Sequence, residues 1–177
     1  VKAEMTNNKI TSTLKVTKND EDETLLSGIK FGVYNLEDKL ISEHTTDENG
    51  YFEVVLEYGK YYFKEIATLD EYVVSDKKVY FEVKEEGAII EEKVINEFVD
   101  GTLEFTKTDL ITGEVIPNTL IEVYTEKDEL VFSGKTDENG KVIIEELRYG
   151  KYYILEKEAP EGYVLTEEKM AFEILED

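Results

Sequence analysis

The chain has 177 residues, no cysteine and a formal net charge of −22, from 42 acidic and 20 basic residues. So large a negative charge repels nucleic acid and anionic membranes, and neither is expected as a partner. Without cysteine there are no disulfides of the kind that staple many small extracellular domains, although a hydrophobic fraction of 41% is enough for real cores.

The first half of the chain is predicted to consist of short β-strands. Apolar and polar residues alternate at 51–56, 60–66 and 78–83, and no segment shows a sustained helical period. Asn49-Gly50, directly before the first of these runs, is typical of a hairpin turn, because both residues tolerate the positive φ of tight turns. About seven strands in roughly 85 residues predict a β-sandwich.

The second half of the chain repeats the first. TLKVTKND at 13–20 recurs as TLEFTKTD at 102–109, and YGKYYFKE at 58–65 recurs as YGKYYILE at 149–156. The offset is 89 at the shared lysine (107 − 18) and 91 at the shared glutamate (156 − 65), so two single-residue loop insertions account for the drift. We therefore expect an all-β architecture of two tandem immunoglobulin-like β-sandwich modules.

The repeat is not in register with the ends of the chain. Val94-Ile95-Asn96 lies 11 residues before Lys107 (107 − 96), and Met5-Thr6-Asn7 lies 11 residues before Lys18 (18 − 7). No signal peptide, membrane span or sorting signal is visible, so we expect the sequence to be an excised part of a longer array. The expected boundaries are 1–11 for the last strand of a preceding module plus a linker, 12–98 for the first module, and 99–177 for the second module, which lacks its last strand.

Several polar residues fall in line with apolar residues that should face a core. Side chains two apart share one face of a strand. Lys18, Glu65 and Asn96 each follow apolar residues at this spacing, and Lys107 and Glu156 hold the same places in the second module. For any one of them the ordinary alternative is a surface side chain whose polar end reaches water. Alternation alone does not exclude that alternative.

An amine, a carboxyl and a carboxamide in one dry pocket suggest a specific reaction. A desolvated lysine becomes an uncharged nucleophile, and a desolvated glutamic acid keeps a proton that it can donate to an amide oxygen. The amine of Lys18 would attack the side-chain carbonyl of Asn96, while Glu65 polarises that carbonyl and shuttles protons. Ammonia would leave, and an amide cross-link would remain. Because this happens once per molecule, the chain is not expected to be an enzyme.

The ordered motifs resemble those of a known family. Lys-x-Asp, Thr-Asp-Glu-Asn-Gly and Gly-Lys-Tyr-x-x-x-Glu follow one another in both modules. Residues 152–163 (YYILEKEAPEGY) are similar to the pilin E-box, of which the first module carries a decayed version without its Pro and Gly. This set resembles the Cna protein B-type repeats, also called SpaA-like prealbumin-like domains, of Gram-positive adhesins and pilins.

The resemblance implies that Lys18 and Asn96 form an isopeptide bond and that Glu65 is the catalytic residue. It also implies a structural stalk or spacer repeat of a surface adhesin or pilin. Such a protein is extracellular and anchored to the cell wall of a Gram-positive bacterium, with neighbouring repeats as partners. The alternative function is a module that binds a host ligand directly, and the sequence does not indicate the ligand.

In the second module the resemblance matches Lys107 to the cross-linking lysine and Glu156 to the catalytic glutamate, but no matching Asn follows within the chain. Asn7 repeats the pattern of Asn96. We therefore expect a head-to-tail self-association in which Asn7 of one copy enters the second module of another. Asn7 is then a candidate for an intermolecular cross-link to Lys107.

No cofactor or metal is expected. His44 is the only histidine, which excludes a histidine-rich metal site or a Ser-His-Asp triad within one chain. Asp47-x-Asn49-Gly50 resembles the start of a calcium loop, but such a loop needs further oxygen ligands, and a turn between strands is favoured. A carbohydrate-binding domain would need aromatic platforms, and the chain contains no tryptophan.

Overall fold

The computed structural model of the chain describes residues 3–175. The chain divides into two compact units, Val1–Phe98 (unit 1) and Val99–Asp177 (unit 2). The described residues form thirteen β-strands and no helix, so none of them belongs to a helix that could cross a membrane. The predicted all-β architecture with two tandem β-sandwich modules is confirmed.

Unit 1 is a sandwich of two sheets. Its strands are β1 (Thr11–Asp20), β2 (Lys30–Asn35), β3 (Leu40–Thr45), β4 (Tyr51–Glu57), β5 (Gly59–Ala67), β6 (Val79–Val83) and β7 (Ile89–Asn96). One sheet has the order β4-β1-β7 and the other β3-β2-β5-β6. The first and last strands, β1 and β7, are parallel neighbours. Parallel strands end at the same edge of a sheet, so the C-terminal residues of β1 and β7 lie together.

The core of unit 1 lies between its two sheets. Leu14 and Val16 of β1 pack in one cluster with Phe31, Phe52 and Phe63. The ring centroids of Phe31 and Phe52 are 5.3 Å apart, and those of Phe31 and Phe63 are 5.9 Å apart. Burial alternates along β1 as predicted, and the inward-facing positions continue to the end of the strand.

The Asn49-Gly50 turn connects the two sheets, so the prediction of a hairpin was wrong. β3 pairs with β2, whereas β4 pairs with β1. The Asp47 carboxylate accepts hydrogen bonds from the backbone N–H groups of Asn49 and Tyr51, which shapes the turn. Gly50 has a φ of +65°, and a side chain there would lie 2.5 Å from the carbonyl oxygen of Lys18. Glycine is therefore required at this close approach.

Unit 2 repeats most of this arrangement. Its strands are β8 (Asp100–Thr106), β9 (Leu120–Thr125), β10 (Leu130–Lys135), β11 (Lys141–Arg148), β12 (Gly150–Glu158) and β13 (Met170–Ile174). The sheet β10-β9-β12-β13 corresponds to β3-β2-β5-β6 of unit 1. In the other sheet β8 pairs with β11, and among residues 3–175 it has no second neighbour. The described part of unit 2 thus contains no counterpart of β7.

The described part of the N-terminal segment precedes the strands of unit 1. This part, residues 3–10, is not in a strand, and β1 begins at Thr11. Asn7 is exposed there. The interpretation of residues 1–11 as the last strand of a preceding module stays a prediction, because that module is not part of this chain.

Candidate cross-linking site

The Lys18 side chain is completely buried near the end of β1, with 0% of its surface exposed. Its Nζ donates hydrogen bonds to two backbone carbonyls, that of Asn19 at 3.0 Å and that of Val94 at 3.4 Å. Val94 is also the register partner of Lys18 on β7. The amine therefore lies where the first and last strands of unit 1 adjoin.

Burial lowers the pKa of Lys18 to about 8, although the negative charges of Glu65 and Asp20 act to raise it. The cause is the loss of water around the ammonium, which disfavours the charged form. With this pKa about one amine in ten is uncharged at pH 7. An uncharged buried amine is a nucleophile.

Glu65 and Asn96 meet in the same region of the core. Glu65, near the end of β5, is 4% exposed, and Asn96, the last residue of β7, is 1% exposed. The Asn96 Nδ2 donates a hydrogen bond to Glu65 Oε1 at 2.9 Å. On β7 Asn96 is two residues beyond Val94, the partner of Lys18. The structure thus brings together the three residues that the sequence singled out in the first module.

Burial raises the pKa of Glu65, and its hydrogen bond with Asn96 and the charge of Lys18 oppose this shift only in part. Glu65 Oε2 and Asn96 Oδ1 are buried and have no hydrogen-bond partner within the described part of the chain. Each unsatisfied atom destabilises the fold. Two such atoms on contacting side chains, beside a buried amine, are typical of groups held for a reaction.

The orientation of the Asn96 carboxamide differs from the expectation. The amide nitrogen of Asn96 faces Glu65, whereas we expected the carbonyl oxygen there. In this orientation the carboxyl group contacts the nitrogen that would leave, and the oxygen points elsewhere. The predicted polarisation of the carbonyl by Glu65 is therefore not seen, but the predicted contact between the two side chains is present.

Two further residues contact the site, and neither was predicted for it. Asp20 is buried two residues beyond Lys18 and accepts a hydrogen bond from the Tyr72 hydroxyl at 3.0 Å. The inward-facing pattern of β1, extended by one step, would have found it. Thr68 accepts a hydrogen bond from Asn96 Nδ2 at 2.8 Å. It follows the end of β5, where strand alternation gives no signal.

In unit 2 the corresponding lysine and glutamate contact each other directly. Lys107 Nζ is 3.0 Å from Glu156 Oε2, and their side chains are 26% and 7% exposed. The pair lines a cleft of about 180 Å³ whose apolar wall consists of Phe105, Ile121, Ile154 and Met170. Since the described residues of unit 2 include no counterpart of β7, Lys107 has no counterpart of Asn96 beside it.

The chain is similar to several proteins of known structure. The TIE protein of Bacillus anthracis is 39% identical over 95% of this chain with a TM-score of 0.85, and the chain spans 32% of that protein. A streptococcal ancillary pilin is 24% identical with a TM-score of 0.47, over 97% of this chain and 60% of the pilin. The major pilin subunit BcpA of Bacillus cereus is 14% identical with a TM-score of 0.47, over 94% and 93%. No curated protein matches the chain.

The family comparison covers both units. The model of the SpaA prealbumin-like fold domain matches residues 12–97 and again residues 101–177. These two segments leave only short stretches of the chain unmatched, and they coincide with the two β-sandwiches. The chain therefore belongs to the SpaA prealbumin-like fold domain family.

Proposed function

We propose that unit 1 cross-links itself through an isopeptide bond between the side chains of Lys18 and Asn96, with Glu65 as the catalytic residue. The supporting observation is the burial of an amine, a carboxyl group and a carboxamide in one region, each at most 4% exposed. Burying these groups is costly unless they are paired. Glu65 Oε2 and Asn96 Oδ1 have no hydrogen-bond partner among the described residues, which also supports a site held for reaction.

The proposed reaction needs no outside reagent. The uncharged Lys18 Nζ attacks Asn96 Cγ, and an Nζ–Cγ bond forms. Glu65 gives its proton to Nδ2, with which it is already in contact at 2.9 Å, and takes a proton from Nζ. The Cγ–Nδ2 bond then breaks and ammonia leaves. The products are one secondary amide, one ammonia molecule and an unchanged Glu65.

The position of the bond suggests a mechanical function. β1 and β7 are the first and last strands of unit 1 and lie side by side. A pull on the two ends of the unit would pass from one strand to the other through the cross-link. We infer that the units are structural spacer repeats of a surface adhesin or pilin of a Gram-positive bacterium, extracellular and anchored to the cell wall. Neighbouring repeats of the same protein would be their partners.

The intact mass of the folded chain tests the cross-link. We expect a mass lower than that of the sequence by one ammonia, and a peptide in which Lys18 is joined to Asn96. Glu65→Ala should restore the full mass. The matched control is Glu156→Ala in unit 2, which should leave the loss of ammonia in unit 1 unchanged. A full mass for the unmutated chain would refute the proposal.

A further inference from the structure

Thr68 occupies a position at which the two repeats differ. It lies 91 residues before Ala159 (159 − 68), the same offset that relates Glu65 to Glu156. Unit 2 thus has a methyl group where unit 1 has a hydroxyl. Both units fold as sandwiches, so the fold itself does not require a hydroxyl here.

The Thr68 hydroxyl contacts the nitrogen that would leave during cross-linking. Asn96 Nδ2 donates to Thr68 Oγ1 at 2.8 Å and to Glu65 Oε1 at 2.9 Å. A carboxamide nitrogen carries two hydrogens, and both are therefore taken up by these two side chains. Thr68 also forms a hydrogen bond with Glu65. This hydrogen bond acts to lower the pKa of the Glu65 carboxyl, although the larger effect of burial raises it.

We propose that Thr68 is a second catalytic residue of the cross-linking reaction, holding the leaving nitrogen of Asn96 against Glu65. This inference rests on the isopeptide bond proposed above. Before the attack, the planar amide nitrogen can only donate, and the Thr68 oxygen accepts. Once Nζ is bonded to Cγ, that nitrogen has one lone pair, and the lone pair must face the proton of Glu65.

A hydroxyl suits this role because its oxygen accepts an N–H of Nδ2 while its hydrogen is donated to Glu65. Thr68 keeps accepting one N–H of Nδ2 during the attack, so the lone pair of that nitrogen is free to take the proton from Glu65 that leaves with ammonia. The Thr68 hydroxyl is unchanged at the end of the reaction. Neither valine nor the alanine of unit 2 offers such a group.

The test follows the loss of ammonia over time. The chain is synthesised without cells, captured in urea before it folds, and diluted into buffer, and samples are quenched in acid for intact-mass measurement. Losing one hydrogen bond in the transition state corresponds to about a tenfold change in rate. We expect Thr68→Val and Thr68→Ala to be about tenfold slower than the unmutated chain, and Thr68→Ser to be within about twofold of it.

Two controls separate catalysis from stability. Thr45→Val makes the same change on an exposed position of β3 and should leave the rate unchanged. In Thr68→Val the acid limb of the pH–rate profile should also move to higher pH, because the hydrogen bond that lowers the pKa of Glu65 is gone. A substitution that only lowered the stability of the fold would not move that limb, and Thr68→Ser, which keeps a hydroxyl, should leave it in place.

The outcomes are distinguishable. If the unmutated chain loses ammonia and Thr68→Val loses it equally fast, the role of Thr68 is refuted and the isopeptide bond stands. If the unmutated chain never loses ammonia, both are refuted. If Thr68→Ser is as slow as Thr68→Val, the proposed role of the hydroxyl is also contradicted, since serine keeps a hydroxyl.

Discussion

At the scale of residues, two buried ionisable groups in unit 1 are coupled through one site. Burial lowers the pKa of Lys18 to about 8 and raises the pKa of Glu65. The reactive form has an uncharged amine and a protonated acid. It carries the same number of protons as the corresponding ion pair, so its population is greatest between the two pKa values.

We therefore expect a bell-shaped pH dependence of the cross-linking rate. Above about pH 8 the pair of Lys18 and Glu65 loses the one proton that it still holds. Glu65 then has no proton to donate, and the rate should fall about tenfold per pH unit. Below the raised pKa of Glu65 both groups hold protons, and the rate should fall again. Intact mass after dilution of the urea-captured chain into buffers of different pH measures the profile. A rate that continues to rise beyond about pH 9 would contradict a proton-donating Glu65.

The close approach at Gly50 gives a second prediction. Gly50 and Gly87 have similar φ values, +65° and +69°, but a Cβ at 50 meets the Lys18 carbonyl oxygen at 2.5 Å, whereas at 87 nothing lies within 4 Å. Both alanine variants suffer backbone strain, and only Gly50→Ala adds the collision. We expect Gly50→Ala to destabilise unit 1 by about 1–3 kcal/mol more than Gly87→Ala in urea unfolding. Equal unfolding midpoints would show that the turn can move away from β1.

At the scale of elements, alternation predicted the strands and their inward faces well. Lys18, Glu65 and Asn96 are buried as their spacing indicated. The sheet to which each strand belongs was not predictable in the same way, because a period of two shows which side chains face inward and not which strand is the neighbour. An Asn-Gly turn fits a hairpin and a connection between sheets equally well, which explains the wrong hairpin.

Tertiary contacts explain the rest of what was missed. Thr68 lies beyond β5, in a segment with no periodicity, and it reaches Asn96 only because β5 and β7 come close in the folded unit. The orientation of the Asn96 carboxamide likewise depends on the two acceptors around it. Neither feature has a local signal in the sequence.

The proposed cross-link between β1 and β7 predicts a large effect on stability. It would close a loop of 79 residues (96 − 18 + 1), which in the chain-entropy model would stabilise the fold by about 4–5 kcal/mol. We expect Lys18→Ala to lower the melting temperature of unit 1 by well over 10 °C relative to Lys39→Ala, which changes an exposed lysine.

Lys18→Ala also removes a buried side chain, so Glu65→Gln serves as a second variant that prevents the cross-link and keeps the shape of the site. Calorimetry of both variants against Lys39→Ala measures the effect. Melting temperatures equal to that of the control would count decisively against a covalent staple.

At the scale of the whole molecule, some features favour association between copies of the chain, and the high net negative charge opposes it. Within the described residues β8 has one free edge, and the Lys107–Glu156 cleft lies beside it. Residues 3–9 are exposed and outside any strand. An unpaired strand edge is a template for strand addition. The charge of −22 opposes contact between copies, and salt screens that repulsion.

We propose that the N-terminal segment of one copy adds to β8 of the next, so that the 177-residue chain associates head to tail. Light scattering should show association that increases with concentration and, because of screening, with salt. Deletion of residues 1–9 should abolish it. If Lys107 also reacts with Asn7, a denaturing gel should show a ladder that Asn7→Ala removes. A monomer at every concentration and salt level would refute the contact.

The placement of Lys18 and Asn96 at the ends of the first and last strands has a topological consequence. If the two side chains are joined as proposed, the backbone from 18 to 96 forms a closed ring, and the flanking segments leave it as two tails. A protease that cuts the exposed stretch around Leu69 and Asp70 would open the ring but would not divide the molecule. Both tails would remain on one covalent path, so an array of repeats cross-linked as proposed would tolerate a single cut within each ring without losing length.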